Sequence, residues 1–360
     1  MMCTRSRYLV LLFFVLSLLG CQEQRAQPGS VHVIALPDGG MVPDAEVDAN
    51  GVVHLAYIAD GDVYYVTSTD EGQSFSDPLR VNKEDGFAFG GRYAGPDIAI
   101  GEHGAIHVVW DNAAHQQRRP SEEWGVMYAR LLPGTTAFES SRNLTHRPGE
   151  NFAVAANGQG EVTIVWMADS LYISTSMDGG DSFTPAEAMP VDQCECCGSR
   201  ALYSDDGTLF ILYRDKEDNI RDMHLATQAK GASIFTQTKL SQTPWPIDGC
   251  PMTGSFLTDN EETILAGWET EGEVFIGEVD INMPSVHHGE IKVTDRGKYP
   301  VALRDGDGST VVAWKSGSHF IWQRVGAGGA LLGMPDSTEV SSPHRPGGVV
   351  TLAGNMLLFP

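Results

Sequence analysis

The feature that most constrains the fold is a pattern of about 50 residues that the chain repeats six times. Each copy has a strand, a turn rich in Gly, Asp or Asn, an apolar strand that ends in Trp or Tyr, a second turn and another strand. Two clear copies are GPDIAIGEHGAIHVVWDN and NFAVAANGQGEVTIVWMADSLYISTS. Period-two alternation between turn residues predicts antiparallel strands, and no segment of comparable length has the period of an amphipathic helix.

These repeats predict an all-β fold, a β-propeller in which each repeat is one blade of four short strands. The C-terminal segment RPGGVVTLAGNMLLFP supplies two more strands, and the early strand VHVIALP has no partner of its own. Pairing the two ends would hide two sheet edges. We therefore predict a single domain over residues 31–360 with seven blades, the last closed by N- and C-terminal strands; six blades are the alternative.

The N-terminus has the features of an export signal. Two arginines precede a short apolar run from Tyr8 to Leu19, which is too short to span a bilayer. The following Gly20-Cys21 resembles the end of a bacterial lipobox. This implies a lipoprotein signal peptide at 1–20, lipidation of Cys21 and a polar tether at 21–30. The alternative is an ordinary signal peptide in which Cys21 has no role.

A lipid on Cys21 predicts an extracytoplasmic protein of the bacterial cell envelope, at the outer membrane or the cell surface. Its only contact with the membrane would be the lipid anchor, because no second long apolar run follows. The formal net charge of −23 argues against a nucleic-acid partner and favours solubility. We expect a monomer.

Two octapeptides, STDEGQSF and SMDGGDSF, occur at the same place in their repeats. They resemble the Asp-box, or BNR repeat, of the sialidase superfamily of β-propellers. Their role is expected to be structural: the aspartate accepts N–H bonds across the turn, the glycine permits a positive φ, and the phenylalanine is buried. The residues concerned are Ser68, Asp70, Gly72, Phe75, Ser176, Asp178, Gly180 and Phe183.

A second resemblance is closer. CECCGSRALY, YRDKEDNIRDM and PWPIDGCPMTG, between residues 194 and 254, are similar to a bacterial lipoprotein group of sialidase-like propellers with Cys-x-Cys-Cys and Gly-Cys-Pro motifs. The sialidase resemblance implies a sialidase, another glycosidase or a glycan-binding protein. With the basic residues described below, it favours recognition of an anionic glycan, and exo-sialidase-type hydrolysis is an open question. The Phe/Tyr-Arg-Ile-Pro motif that usually carries the first substrate-binding arginine of sialidases is absent.

Propeller geometry predicts which residues share a site. The connector that enters each inner strand and the loop after each second strand lie on one face, around the central channel. For an anionic ligand, these segments offer Arg92, Arg147, Arg214, Lys298 and Arg345. For acid, base or nucleophilic chemistry they offer Asp111, Tyr213, Arg214, Asp215 and Glu269, with Tyr93 as an alternative nucleophile. The alternative is that these charges form ion pairs between blades, with Arg214 and Asp215 fixing the cysteine loop.

Four cysteines are predicted to meet at the channel mouth: Cys194, Cys196, Cys197 and Cys250. An exported protein favours two disulfides, one within the CECC loop and one between blades 4 and 5. A zinc or copper(I) thiolate site is the second interpretation, and a redox-active pair is the third. No cofactor is favoured. A metal-binding or redox protein, or a non-catalytic envelope assembly module, therefore stands as an alternative to glycan recognition.

Overall fold

The computed structural model describes residues 29–260, 262–285 and 287–360. The signal peptide, the lipidated Cys21 and nearly all of the tether lie outside the described residues and stay predictions. Within these ranges, no helix is long and apolar enough to cross a membrane. Helical structure is confined there to three single-turn 3₁₀ segments, at Pro37–Gly39, Glu102–Gly104 and Ser121–Glu123.

The described chain forms seven sheets, one for each predicted blade. Blades 1 and 2 contain β2 (Met41–Val47), β3 (Val53–Ala59), β4 (Asp62–Ser68) and β5 (Leu79–Arg80), then β6 (Asp97–Ile100), β7 (Ile106–Asp111), β8 (Val126–Leu131) and β9 (Arg142–Asn143). Blades 3 and 4 contain β10 (Glu150–Ala156), β11 (Val162–Met167), β12 (Leu171–Ser176) and β13 (Glu187–Ala188), then β14 (Arg200–Tyr203), β15 (Leu209–Arg214), β16 (Met223–Gln228) and β17 (Thr236–Lys239). Blades 5 and 6 contain β18 (Phe256–Asp259), β19 (Thr263–Thr270), β20 (Glu273–Asp280) and β21 (His287–Thr294), then β22 (Lys298–Arg304), β23 (Thr310–Ser316), β24 (His319–Val325) and β25 (Leu331–Glu339).

The last blade joins the two ends of the chain. It contains β26 (Gly347–Val350), β27 (Met356–Phe359) and, from the N-terminus, β1 (Val31–Val33). Strand β1 pairs with β27 in parallel, with Val31 opposite Met356. The seven-bladed ring and its closure by both termini are confirmed.

The core lies between neighbouring blades. Six second strands place an aromatic residue at the same position, where it is at most 3% exposed: Tyr57, Trp110, Trp166, Tyr213, Trp268 and Trp314. Each such ring packs in an apolar cluster that joins two blades, as in the cluster of blades 1 and 2 around Trp110. This aromatic column explains why every repeat ends its second strand in Trp or Tyr.

Carboxylates join the inner strands of the first three blades. Asp44 of β2 accepts the backbone N–H of Ile98 in β6 at 3.0 Å, and Asp97 of β6 accepts that of Val154 in β10 at 2.9 Å. The inner edge of each blade has unpaired N–H groups, which cost free energy when they are buried without an acceptor. These aspartates therefore act first as links between blades.

The two octapeptide turns have the same hydrogen bonds. In the first, Ser68 donates to Asp70 at 2.8 Å and Asp70 accepts the backbone N–H of Ser74 at 2.9 Å; Ser176, Asp178 and Ser182 repeat this in blade 3. Gly72 and Gly180 have φ of 78° and 87°, and their N–H groups donate to the serines. Phe75 packs edge-on to Phe359, and Phe183 to Tyr128. Each turn thus holds its blade against the preceding one.

The ionised aspartates of these two turns are expected to make the stability of the protein depend on pH in the acid range. Hydrogen bonds from Ser74 and Ser68 lower the pKa of Asp70 to about 2, and those from Ser182 and Ser176 hold the pKa of Asp178 lower still. A folded-state pKa below the unfolded value of 3.8 adds stability above pH 3.8, which is lost as the pH falls through 2. The double variant Asp70→Ala, Asp178→Ala is expected to unfold at a lower temperature at pH 6, with the difference narrowing towards pH 2.

Thermal unfolding followed by circular dichroism from pH 6 to pH 2 measures this difference. Asp77→Ala, which removes an exposed carboxylate beside the first turn, is the control and is expected to follow the unmodified protein. A difference that stays constant over the whole pH range would contradict the role given to the ionised aspartates.

Candidate functional site

The inner strands of three blades begin with a bulge that places unusual backbone at the channel mouth. The register with the second strand shifts after Met41, Glu150 and Lys298. The next residues, Val42, Asn151 and Tyr299, have φ of 47°, 51° and 53°. Left-handed backbone at a non-glycine residue is unfavourable and collects at functional sites, where a bulge re-aims a side chain. These three residues mark the mouth as the candidate site.

A small cleft of about 30 Å³ lies among these strand starts, and we call it the mouth cleft. It has room for a group of a few atoms rather than for a whole sugar. Its polar lining comes from five of the seven inner-strand entrances: Tyr93, Asn151, Ser199, Arg200, Ser255 and Arg345.

Of the two arginines that line the mouth cleft, Arg345 is the one with an unused hydrogen-bond donor among the described residues. Its side chain is 6% exposed, and its Nη1 lies 3.9 Å from the carboxylate of Asp44, too far for a hydrogen bond. Its Nε is buried and has no hydrogen-bond partner among the described residues. A buried guanidinium donor without an acceptor is costly, so it favours an anionic group at this place. The other arginine, Arg200, is already paired with Asp97 at 2.7 Å.

Three carboxyl groups on the strands of blades 1 and 2 have raised pKa values. Burial raises the pKa of Asp44 and that of Asp97, and in Asp97 the neighbouring Asp44 adds to the rise. Burial, with the charge of Glu150, also raises the pKa of Asp111 to about 8. With a pKa of about 8, the Asp111 carboxyl is mostly protonated at neutral pH.

Glu269 and Lys298 lie near each other at the mouth, as their place in the repeats predicts. The Glu269 carboxylate is 2% exposed, and its Oε1 is 3.9 Å from Lys298 Nζ. Burial raises the pKa of Glu269, and its Oε2 has no hydrogen-bond partner in the described chain. Burial, with the charge of Glu269, raises the pKa of Tyr299. A carboxyl group, a lysine and a phenol thus lie together on one side of the mouth.

Two residues predicted to perform chemistry are placed elsewhere. Tyr213 belongs to the buried aromatic column, and its hydroxyl donates to Gln237 at 3.2 Å, so it does not face the mouth. Arg214 is 1% exposed and donates to the backbone carbonyls of Arg221 at 2.8 Å and Glu269 at 2.5 Å. It is a clamp between blades 4 and 5, as the alternative interpretation had it.

The remaining predicted residues have local partners. Arg147 places its guanidinium 4.2 Å from the centre of the Tyr172 ring. Arg92 is exposed, and its carbonyl accepts the backbone N–H of Arg345 at 2.6 Å. Asp215 is half-buried, and burial together with Asp192 raises its pKa to about 6. The mouth cleft does not include these three residues.

The four cysteines do meet, but with one disulfide instead of two. Cys196 is bonded to Cys250, which joins the entrances of blades 4 and 5. Cys194 and Cys197 are free thiols, buried, with their Sγ atoms 3.7 Å apart. The S–H of Cys197 donates to Cys194, which lowers the pKa of Cys194 and raises that of Cys197. The predicted bond within the CECC loop is therefore absent between these described residues.

A metal would need a different state of these cysteines. The Sγ atoms of Cys194, Cys196 and Cys197 lie within 4.8 Å of one another, so together they could hold an ion. Structural zinc takes four ligands, usually thiolates or imidazoles. With Cys196 and Cys250 bonded to each other, only two thiols remain for that purpose.

Below the mouth, a larger cavity of about 980 Å³ follows the inner strands and is lined by carboxylates. Among them, Glu46 accepts the backbone N–H of Ile100 at 3.0 Å. Burial and then Asp44, Asp97 and Asp259 raise the pKa of Glu46 to about 8. Its folded pKa lies above the ordinary value of 4.5, so its stabilising contribution is complete below pH 4.5 and is lost as the pH rises through 8.

Glu46→Gln is expected to raise the unfolding temperature at pH 9 and to leave it nearly unchanged at pH 4. The amide keeps the acceptor for Ile100 and cannot ionise, so it removes only the charge that the folded state disfavours. Differential scanning calorimetry at the two pH values measures both effects. An equal gain at pH 4, or a loss at pH 9, would contradict the raised pKa.

Comparisons with known proteins agree with the architecture. No protein-family model matches the chain, and no similar sequence was found among curated proteins. Among solved structures, the Hadza microbial sialidase Hz136 is similar at a TM-score of 0.54 and 14% identity, covering 77% of this chain and 63% of that one. A leech intramolecular trans-sialidase, complexed with 2,7-anhydro-Neu5Ac, gives 0.50 and 11%, covering 81% and 67%.

The Aleuria aurantia lectin, in complex with α-methyl-L-fucoside, gives a TM-score of 0.52 and 8% identity, covering 83% of this chain and 95% of the lectin. The match to the Hadza sialidase, by contrast, covers less than two thirds of the length of that protein. At such low identities these likenesses show a shared sialidase-like propeller fold.

Proposed function

We propose that the mouth cleft binds the carboxylate of an acidic sugar at the end of a glycan. The single observation that carries the proposal is Arg345, a buried guanidinium among the residues that line the cleft, whose Nε has no hydrogen-bond partner in the part of the chain that the structure describes. A carboxylate is a planar acceptor that a guanidinium recognises with directed hydrogen bonds. The cleft has the volume of such a group, and the rest of the sugar would lie over the rim formed by Tyr93 and Asn151.

Isothermal titration of the protein with 3′-sialyllactose, a galacturonate disaccharide and lactose tests this proposal. The first two carry a carboxylate and lactose does not. We expect saturable binding of at least one acidic saccharide, and no binding of lactose at the same concentrations. Equal binding of all three, or of none, would contradict the proposal; a co-purifying protein in the latter case would favour an assembly module.

A second candidate is hydrolysis of the bound glycan. It is supported by Asp111, whose pKa of about 8 keeps a proton available for a leaving group at neutral pH. On blades 5 and 6, Glu269 and Tyr299 offer a carboxyl group and a phenol that are close enough to affect each other's charge. Release of N-acetylneuraminic acid from 3′-sialyllactose, lost in Asp111→Asn while binding is retained, is the expected result. Binding without release would leave a lectin-like function.

The proposed place of action is the outside of a bacterial envelope membrane, with the domain held by a lipid on Cys21. The lipobox-like end of the apolar run supports it. Incorporation of labelled fatty acid into the protein, abolished by Cys21→Ser, is the expected result. Labelling that survives in the variant would contradict the anchor.

A further inference from the structure

The sulfur atoms at the entrances of blades 4 and 5 form one contact group. Cys194 Sγ lies 3.7 Å from Cys197 Sγ and 3.7 Å from Cys196 Sγ, and Cys196 is bonded to Cys250. At these separations the sulfur atoms are in van der Waals contact. A thiol, a second thiol and a disulfide are therefore adjacent, with Cys194 between the other thiol and the disulfide.

We propose that the four cysteines form a thiol–disulfide exchange centre, in which the disulfide moves between the pair Cys196–Cys250 and the pair Cys194–Cys197. Exchange proceeds when a thiolate attacks one sulfur of a neighbouring disulfide. Cys194 already touches Cys196, so the attack needs side-chain rotation and no movement of a blade. This activity is separate from glycan binding and does not depend on it.

The surroundings favour a thiolate at Cys194. The S–H of Cys197 donates to it, and the guanidinium charges of Arg221 and Arg214 act on it. Arg221 is 6% exposed, and its Nε is buried without a hydrogen-bond partner within the described ranges. Positive charge and a donor hydrogen bond both stabilise a thiolate. The buried arginines of this region thus have a chemical as well as a structural consequence.

The bonds and protons balance within the chain. Cys194, having released its proton to solvent, forms a bond to Cys196 Sγ; the Cys196–Cys250 bond breaks, and Cys250 leaves as a thiolate that takes a proton from solvent. Cys197 then releases its proton and attacks Cys194. The Cys194–Cys196 bond breaks, and Cys196 leaves as a thiolate that is protonated in turn. One disulfide is present throughout, so no oxidant or reductant is consumed.

The two cysteine pairs differ in solvent exposure, so the exchange changes how accessible the disulfide is. Cys250 is exposed and Cys196 half-buried, whereas Cys194 and Cys197 are each 1% exposed. Exchange therefore moves the disulfide from the solvent into the protein. It also removes the only covalent link that the described chain has between the cysteine loop and the loop of Cys250. The segments Gly198–Ser199 and Gly254–Ser255, which line the mouth cleft, follow directly on these two loops.

Disulfide mapping of the native protein tests the exchange. The protein is fully reduced with a phosphine, treated anaerobically with one equivalent of diamide in the presence of a chelator, and acid-quenched after increasing times. It is then alkylated in denaturant and digested for mass spectrometry. We expect both the Cys196–Cys250 and Cys194–Cys197 disulfides, in a ratio that becomes constant with time. In Cys197→Ser, the intermediate bond Cys194–Cys196 is expected beside Cys196–Cys250.

Cys194→Ser is the matched control, since it removes the attacking sulfur and is expected to contain Cys196–Cys250 alone. A single, unchanging Cys196–Cys250 bond in both the unmodified protein and Cys197→Ser would overturn the proposal and leave the disulfide as a static link. A metal ion retained by the reduced thiols against the chelator would also overturn it. If a variant does not fold, the disulfide map of the unmodified protein tests the proposal by itself.

Discussion

Arg214→Met is expected to destabilise the protein by roughly 3 kcal/mol, since hydrogen bonds from a charged donor contribute about 1.5–3 kcal/mol each. The Arg214 side chain is 1% exposed and donates to two carbonyls in neighbouring blades, those of Arg221 and Glu269. Methionine fills much of the volume and leaves both acceptors unpaired. In addition, the stacking of Arg214 on Trp245, at 5.0 Å, is lost.

For about 330 folded residues, this loss corresponds to a fall of roughly 4 °C in unfolding temperature. Arg304→Met is the control: its guanidinium is 16% exposed and pairs with Glu278 at the other end of the channel. Arg304 donates to a single carbonyl, that of Gly308 at 3.2 Å, so the change is expected to cost about half as much, roughly 1.5 kcal/mol. If Arg214→Met unfolded within a degree of the unmodified protein, Arg214 would not be a clamp, and its place in the ligand site would be open again.

The second large effect is on binding. Arg345→Met is expected to reduce affinity for an acidic saccharide about 100-fold, which corresponds to the roughly 2–3 kcal/mol of a charge-assisted hydrogen-bond pair in a buried site. The loss should appear in the affinity rather than in folding, because Arg345 has no close side-chain acceptor among the described residues. Asp44, whose carboxylate lies 3.9 Å from Arg345, keeps its hydrogen bond from the backbone N–H of Ile98 in the variant.

Calorimetric titration of Arg345→Met and Arg304→Met measures this effect, with thermal unfolding run on both. Arg304 is a partly buried arginine in the same channel wall, outside the mouth cleft. Its variant is expected to bind as the unmodified protein does. Equal affinities for the two variants would show that the carboxylate is held elsewhere.

The fold could be predicted because it depends on local patterns. Alternating apolar residues define the strands, and the unpartnered VHVIALP needs the C-terminal strands to cover its edge. The aromatic column was also visible, as the Trp or Tyr that ends each second strand. Tyr213 occupies the same position in its repeat as Trp110 and Trp166, and all three are buried. The repeat pattern therefore already favoured a core position for Tyr213 over a role as nucleophile.

The site was less accessible to prediction, since it depends on contacts between distant segments. Asn151, Arg200 and Tyr299 at the mouth were missed. Asn151 and Tyr299 have a left-handed backbone because each lies in a β-bulge. The alternation of apolar and polar residues along a strand does not reveal such a bulge. The pairing of Arg200 with Asp97, separated by 103 positions, needs the ring to be closed. Likewise the spacing of CECC brings its sulfurs together without showing which of them bonds to Cys250.

The most direct test of the glycan site is the electron density of crystals soaked in 3′-sialyllactose. We expect a sugar carboxylate in the mouth cleft, within hydrogen-bond distance of the Arg345 guanidinium and near Asn151, with the remaining sugars over the rim. A saccharide bound only in the carboxylate-lined cavity below, or a mouth cleft that stays without sugar at saturating concentration, would contradict it.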